Sequence, residues 1–245
     1  MLSEYSIVNG SVNLHVVATM PARPGRVAVA VIPGLAETAD DWRELLELLA
    51  PMHAAAVTLR GRGRSSTPET GYSLADHASD IAAFVDYLQA DFVVLVAFSR
   101  SVGYALEYAT LRPEKLARLV LLDYPPKHSA LPENWAEAFA ESSWRSRKAS
   151  SIVSLPALRA IAREADPKDF TPFLSSIHAP TLVVRGGMPG AVLSATVAAE
   201  YGSHLPHCKV AELPESAHAL WEPTSSKLYE EVASFAREAA GEGEA

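Results

Sequence analysis

The chain has 245 residues, 21 of them Lys or Arg against 29 Asp or Glu for a formal charge of −8, with 49% hydrophobic and 20% charged residues. At about 100–200 residues per domain this length suits one large domain with a small insertion, the acidic balance argues against nucleic acid and anionic membranes as partners, and the apolar content argues against disorder. Cys208 is the only thiol, so no intramolecular disulfide forms; the start, MLSEYSIVNG, shows no leader pattern and no stretch has the length of a membrane span, so a soluble cytoplasmic protein is expected.

In chain order, YSIVNGSVNLHVV reads as a β-hairpin about Asn9-Gly10, a dipeptide that tolerates the positive φ of a tight turn. Short apolar runs at residues 26–32, 54–59, 92–98, 119–122, 181–185 and 209–213 read as buried strands. Between the first two, Thr38 and Asp41 form a capping-box-like start, and Trp42, Leu45, Leu46 and Leu49 share a helical face. Residues 73–89 repeat the pattern through Leu74, Ala78, Ile81, Phe84, Val85 and Leu88, and 100–111 and 224–238 also read as helices. Strands alternating with helices need crossover connections, so the fold class is α/β, a mostly parallel sheet covered on both faces.

Residues 124–178 break the alternation: they are proline-rich and show no strand pattern, while WAEAFAESSWRSRK and SLPALRAIAREA have helical spacing. This gives a core over residues 1–124, a small helical cap over 125–179, a second core part over 180–240 and a frayed tail over 241–245.

In VVLVAFSRSVGYALEYA a buried strand runs directly into a helix at Ser99, with the small residues Ala97, Ser101 and Gly103 around it. A serine on such a sharp turn stands exposed above the sheet, and small neighbours are needed for strand and helix to approach. From the hairpin to the last helix, omitting the insertion, the chain resembles the α/β-hydrolase family. The Gly-x-Ser-x-Gly motif stands here as AFSRS, Pro33-Gly34 stands in the usual His-Gly loop, VTLRGRGRSS resembles the Arg-Gly-x-Gly-x-Ser loop, and PESAHALWEP resembles the loop of the catalytic histidine.

The resemblance implies Ser99 as nucleophile and His218 as its base, with the backbone N–H groups of Leu35 and Arg100 as oxyanion hole. The third member departs from the pattern: relatives place an Asp after the strand TLVVR, where this chain has Gly190. Asp123, at the end of RLVLLD, is the substitute, with a structural carboxylate capping the following turn as its other reading; Glu215 and Glu222 are weaker candidates. The Arg100 side chain is read as salt-bridged to a nearby carboxylate, with an acidic substrate as the alternative. Glu37 either orients water, pairs with Arg100 or is a solvated acid at a helix start.

Trp135, Phe139 and Trp144, at roughly helical spacing, either roof a substrate pocket or pack the insertion onto the core. Arg60, Arg62 and Arg64 in RGRGRSS read as a structural loop rather than a phosphate cradle, and His204, His207 and Cys208 as a surface loop rather than a metal cluster. No cofactor or metal is expected, and the expected partner is a small molecule. These readings converge on a serine hydrolase acting through an acyl-enzyme on an ester, thioester or lactone of an apolar acyl or aromatic compound. An acyltransferase, lyase or cyclase on the same fold, or a non-catalytic binding protein, is the alternative.

Overall fold

A computed structural model describes residues 1–19 and 26–241, with the side chain of residue 240 left aside. Beyond Gly241, the expected frayed tail lies outside the described residues. The strands are β1 (Leu2–Asn9), β2 (Val12–Thr19), β3 (Val27–Ile32), β4 (Ala54–Val57), β5 (Phe92–Phe98), β6 (Leu116–Leu122), β7 (Thr181–Gly186) and β8 (Cys208–Leu213). They form one eight-stranded sheet in the order β1-β2-β4-β3-β5-β6-β7-β8. β1 and β2 are antiparallel to each other, β2 is antiparallel to β4, and all later pairings are parallel.

The parallel pairings require crossovers, which α1 (Arg43–Leu49), α2 (Leu74–Leu88), α3 (Ser101–Leu111), α6 (Ala195–His204) and the last helix, α7 (Ser226–Gly241), flank. Central strands are buried on both faces and therefore read as continuous apolar runs: Val29 to Ile32 and Val93 to Phe98 are 0–1% exposed. One face packs Ile81, Phe84, Tyr104 and Leu106 of α2 and α3; the other packs Leu45, Leu49, Val232 and Ala236 of α1 and α7. This is the α/β architecture expected from the sequence. Among the described residues, no helix is long and apolar enough to cross a membrane.

Local chemistry sets several boundaries. Ser73 caps α2, accepting from the Asp76 N–H while the Asp76 carboxylate accepts from the Ser73 N–H. In the opening hairpin Asn9 closes β1 opposite Val12, and Gly10, at φ +60°, begins the turn, which is therefore Gly10-Ser11 rather than Asn9-Gly10. The capping-box start at Thr38 opens a 3-10 turn, Ala39–Trp42, before α1 begins.

Residues 125–179 differ from the sequence reading. They hold α4 (Trp135–Glu141) and α5 (Leu155–Arg163), but also short ladders pairing 127–128 with 168–169 and 143–144 with 147–148. The helix expected across WAEAFAESSWRSRK stops at Glu141. Ser143 and Trp144 turn back through Arg145 and Ser146, both at positive φ, the backbone of a type I′ hairpin. A separate apolar cluster, including Ala136, Ala140, Val153, Leu158 and Ile161, joins α4 and α5 to Leu35 and Tyr72 of the core.

The loop after β4 is fixed by charge. The Arg60 guanidinium donates to both carboxylate oxygens of the fully buried Asp80 at 2.6 and 2.7 Å and to the Gly71 carbonyl. Removing one member of a buried pair strands the other, so Asp80→Ala is expected to cost about 3–5 kcal/mol of stability. Urea unfolding of the variant against wild type measures this, and a loss under about 1 kcal/mol would show that the pair does not hold this loop.

Candidate active site

β5 ends at Phe98 and α3 begins at Ser101, leaving Ser99 on a one-step elbow at φ +55°. A non-glycine residue there is strained, and it is held by its N–H donating to the Leu122 carbonyl at 2.9 Å and its carbonyl accepting from Val102. Crowding explains the small neighbours: a Cβ on Gly34 would lie 2.8 Å from the Phe98 ring, and one on Gly103 would lie 3.3 Å from His128. Where the family motif has its second glycine, Ser101 does more than fit. Its hydroxyl donates to the Pro33 carbonyl at 2.6 Å and ties the elbow to the loop carrying Leu35.

His218 lies in the loop between β8 and α7, its ring stacked 5.0 Å from Phe98 and tilted 5.5 Å from Trp144. Its Nε2 is 2.8 Å from Ser99 Oγ and its Nδ1 is 2.7 Å from Asp123 Oδ2. A carboxylate only accepts, so Nδ1 carries the proton and Nε2 is left as acceptor for the Ser99 hydroxyl.

Asp123 follows β6, fully buried and at φ +46°. Besides His218 its carboxylate accepts from the N–H groups of Gly186 (3.2 Å), Val192 (2.8 Å) and Leu193 (3.3 Å). The loop in which relatives place their acid thus supplies backbone donors instead. Gly190, at φ +98°, occupies a conformation unfavourable to an aspartate. Asp123 thus both holds its surrounding loop and touches the histidine. Glu215 pairs with Lys227 on the surface and Glu222 is exposed, so neither reaches His218.

Above Ser99 opens a cavity of about 310 Å³. Its polar lining is Ser99, His218 and Arg100; Leu35, Ala36, Phe98, Tyr124, Leu131, Trp135, Phe139, Trp144 and Val192 complete it. Leu35 and Arg100 flank the serine, and neither backbone N–H has a hydrogen-bond acceptor among the described residues. Trp135 and Phe139 stack 4.8 Å apart on α4. Trp144 reaches the same wall from the hairpin, so the helical spacing assigned to it is wrong while its place at the cavity is as expected.

Glu37 corrects the sequence reading. It is 1% exposed, it does not line the cavity and it does not pair with Arg100. Its Oε2 accepts from the Gly34 N–H (2.9 Å) and the Trp42 indole (3.1 Å), and its Oε1 from the Trp144 indole (3.2 Å) and Arg145 Nε (2.7 Å). Arg145 also lies over the Trp221 ring, 3.4 Å from its centroid. One buried carboxylate thus fastens the Leu35 loop to the hairpin above it. No sequence pattern signals this, because its hairpin partners Trp144 and Arg145 lie more than 100 residues away.

The expected salt bridge of Arg100 is likewise absent. Its Nη2 donates to His128 Nε2 (2.9 Å) and the Ser129 carbonyl (3.0 Å), and no carboxylate pairs with it among the described residues. In RGRGRSS, Arg60 pairs with Asp80, Arg62 is buried and donates to the Arg60 carbonyl and His77, and Arg64 meets Glu4 and Asp40. Burial raises the Cys208 thiol to about 11, and no cluster of three metal-ligating side chains occurs among the described residues.

Residues 27–151, just over half of the chain, match the model of the alpha/beta hydrolase fold. The chain belongs to the α/β-hydrolase family. It is 34% identical over 112 residues to lipase LipV of Mycobacterium tuberculosis (46% of this chain, 42% of that one). It is 24% identical over 249 aligned positions to a haloalkane dehalogenase of Mesorhizobium japonicum (79% of each). The solved esterase of Exiguobacterium antarcticum superposes with a TM-score of 0.76 at 19% identity, covering 97% of this chain and 100% of that one. The match to the first of these relatives spans less than half of its length.

His128, packed behind the site, gives a pH dependence. Burial first, and then the Arg100 charge, push its imidazole down to about 4. Between the ordinary value near 6.5 and about 4 the unfolded chain binds a proton that the folded chain does not. Its contribution is therefore complete above pH 6.5 and lost as pH falls toward 4, by roughly 3 kcal/mol. Urea midpoints measured from pH 7 to 4 should fall steeply in wild type and less steeply in His128→Gln; equal slopes would contradict the assignment.

Proposed function

We propose that the chain is a serine hydrolase that cleaves carboxylic esters or closely related acyl bonds through an acyl-enzyme. The observation that carries this reading is the hydrogen-bonded line Ser99–His218–Asp123, whose first two members line a largely apolar cavity. Membership of a hydrolase family that includes the lipase and the esterase named above supports it as well.

A serine hydroxyl is a weak nucleophile until a base takes its proton. With Nδ1–H held by Asp123, His218 Nε2 receives that proton as Ser99 Oγ bonds to the acyl carbon, and the carbonyl electrons move onto oxygen. The N–H groups of Leu35 and Arg100 stabilise this oxyanion. His218 then passes the proton to the departing alkoxide, the carbonyl reforms, and the acyl group remains on Ser99. Water, deprotonated by His218, repeats the attack and releases the acid, returning the proton to Ser99. Asp123 stays ionised throughout, fixing the tautomer and balancing the transient imidazolium.

In this reading residues 125–179 act as a cap. Trp135, Phe139 and Leu131 form an apolar roof that favours an alkyl or aromatic group and limits water around the oxyanion. Glu37, by holding Gly34, Trp144 and Arg145 together, keeps the oxyanion loop and the roof in one geometry.

A fluorophosphonate probe followed by intact mass spectrometry tests the nucleophile without a known substrate. Wild type should gain one adduct and Ser99→Ala none, while His218→Ala and Asp123→Asn should react slower by on the order of a thousandfold. An adduct that persists in Ser99→Ala, or an Asp123→Asn rate equal to wild type, would overturn the assignment of roles.

A further inference from the structure

Among the described residues that line the cavity, Arg100 is the one with a formally charged side chain, and the residue is 4% exposed. Its Nη2 is spent on His128 and the Ser129 carbonyl. Nε is buried without an acceptor, and Nη1 has none among the described residues. Both of its protein acceptors are uncharged: a carbonyl, and an imidazole that is neutral at neutral pH. A buried arginine normally sits beside a carboxylate, because its desolvated charge is otherwise uncompensated.

The surroundings deepen the imbalance. His128 lies 5.5 Å from the Tyr104 ring, which stacks 4.1 Å from His77, whose Nε2 accepts from the fully buried Arg62. Arg62 leaves its own Nη2 without a partner. Two buried guanidinium groups thus flank a column of neutral rings, and no carboxylate is among the described residues that line the cavity.

We propose that Arg100 binds a carboxylate carried by the substrate, so that the preferred substrates are monoesters of short dicarboxylic acids rather than neutral esters. This rests on the serine-hydrolase reading and names its substrate class. Arg100 follows the nucleophile directly, so its backbone N–H serves the oxyanion while its side chain holds the far end of the same acyl group. The methylene chain between the two lies against the apolar residues Tyr124 and Leu131. A carboxylate that meets the free Nη1 of Arg100 forms charge-assisted hydrogen bonds, the strongest ordinary kind.

The test compares kcat/KM for monoethyl succinate, glutarate and adipate with ethyl alkanoates of matching length, in wild type, Arg100→Gln and Arg100→Lys. The quantity read is the ratio of anionic to neutral ester within each protein, because substitution at the oxyanion position can change absolute rates. Wild type should favour at least one monoester by about tenfold or more, Arg100→Gln should bring that ratio near one, and Arg100→Lys should retain part of it. A wild-type ratio at or below one, or a ratio unchanged in Arg100→Gln, overturns the proposal while leaving ester hydrolysis standing. Calorimetric titration of Ser99→Ala with the same monoesters separates the two claims. Binding that is lost in Ser99→Ala/Arg100→Gln supports the anion site even if no ester is turned over, and binding equal in both proteins contradicts it.

Discussion

The hydrogen bond between Asp123 and His218 is the constraint on which the rest of the site depends. An imidazole can present a free Nε2 to a serine only if its proton is kept on Nδ1, and a buried carboxylate at 2.7 Å keeps it there. That carboxylate is itself fixed by three backbone N–H groups, from the end of β7 and from the loop after it. The same interactions that position the acid therefore pin the C-terminal edge of the parallel sheet. With the histidine's carboxylate partner at the end of β6, the loop after β7 takes a different role. It becomes a cage of donors in which glycine at position 190 is compatible with the backbone.

A second constraint is the buried Glu37. Ser99 and His218 come from elements of the core, but the Gly34–Leu35 loop and the hairpin of Trp144 and Arg145 belong to segments about 100 residues apart. Glu37 joins them through Gly34, Trp42, Trp144 and Arg145. Ser101, by bonding the Pro33 carbonyl, joins the same loop to the elbow. Both contacts replace freedom with fixed geometry; in the proposed reaction this is the place where charge develops and where preorganisation has the greatest effect on rate.

Much of this was legible in the sequence because it depends on local pattern. Buried strands read as apolar runs, α2 announces itself through its stripe and its cap, and a serine between a strand and a helix with small neighbours points to an elbow. Ser99 was reachable in this way, His218 and Asp123 through the resemblance to the family, and the structure brings the three together. What escaped depends on long-range pairing. The turn at Arg145 and Ser146 needs two left-handed residues that neither side chain advertises, so Trp144 looked helical. Glu37 and Arg100 carry charges whose natural reading is a surface ion pair; burial, which single-residue identity does not reveal, turns one into a fastening and leaves the other without an anion.

The most direct measurement of the central claim is the nitrogen-bound proton of the His218 ring, followed by NMR on ¹⁵N-histidine-labelled protein. The account predicts a slowly exchanging proton on Nδ1, shifted far downfield by the Asp123 carboxylate, with the resonance lost or moved sharply upfield in Asp123→Asn. A proton residing on Nε2 in wild type, or a resonance indifferent to Asp123→Asn, would contradict it.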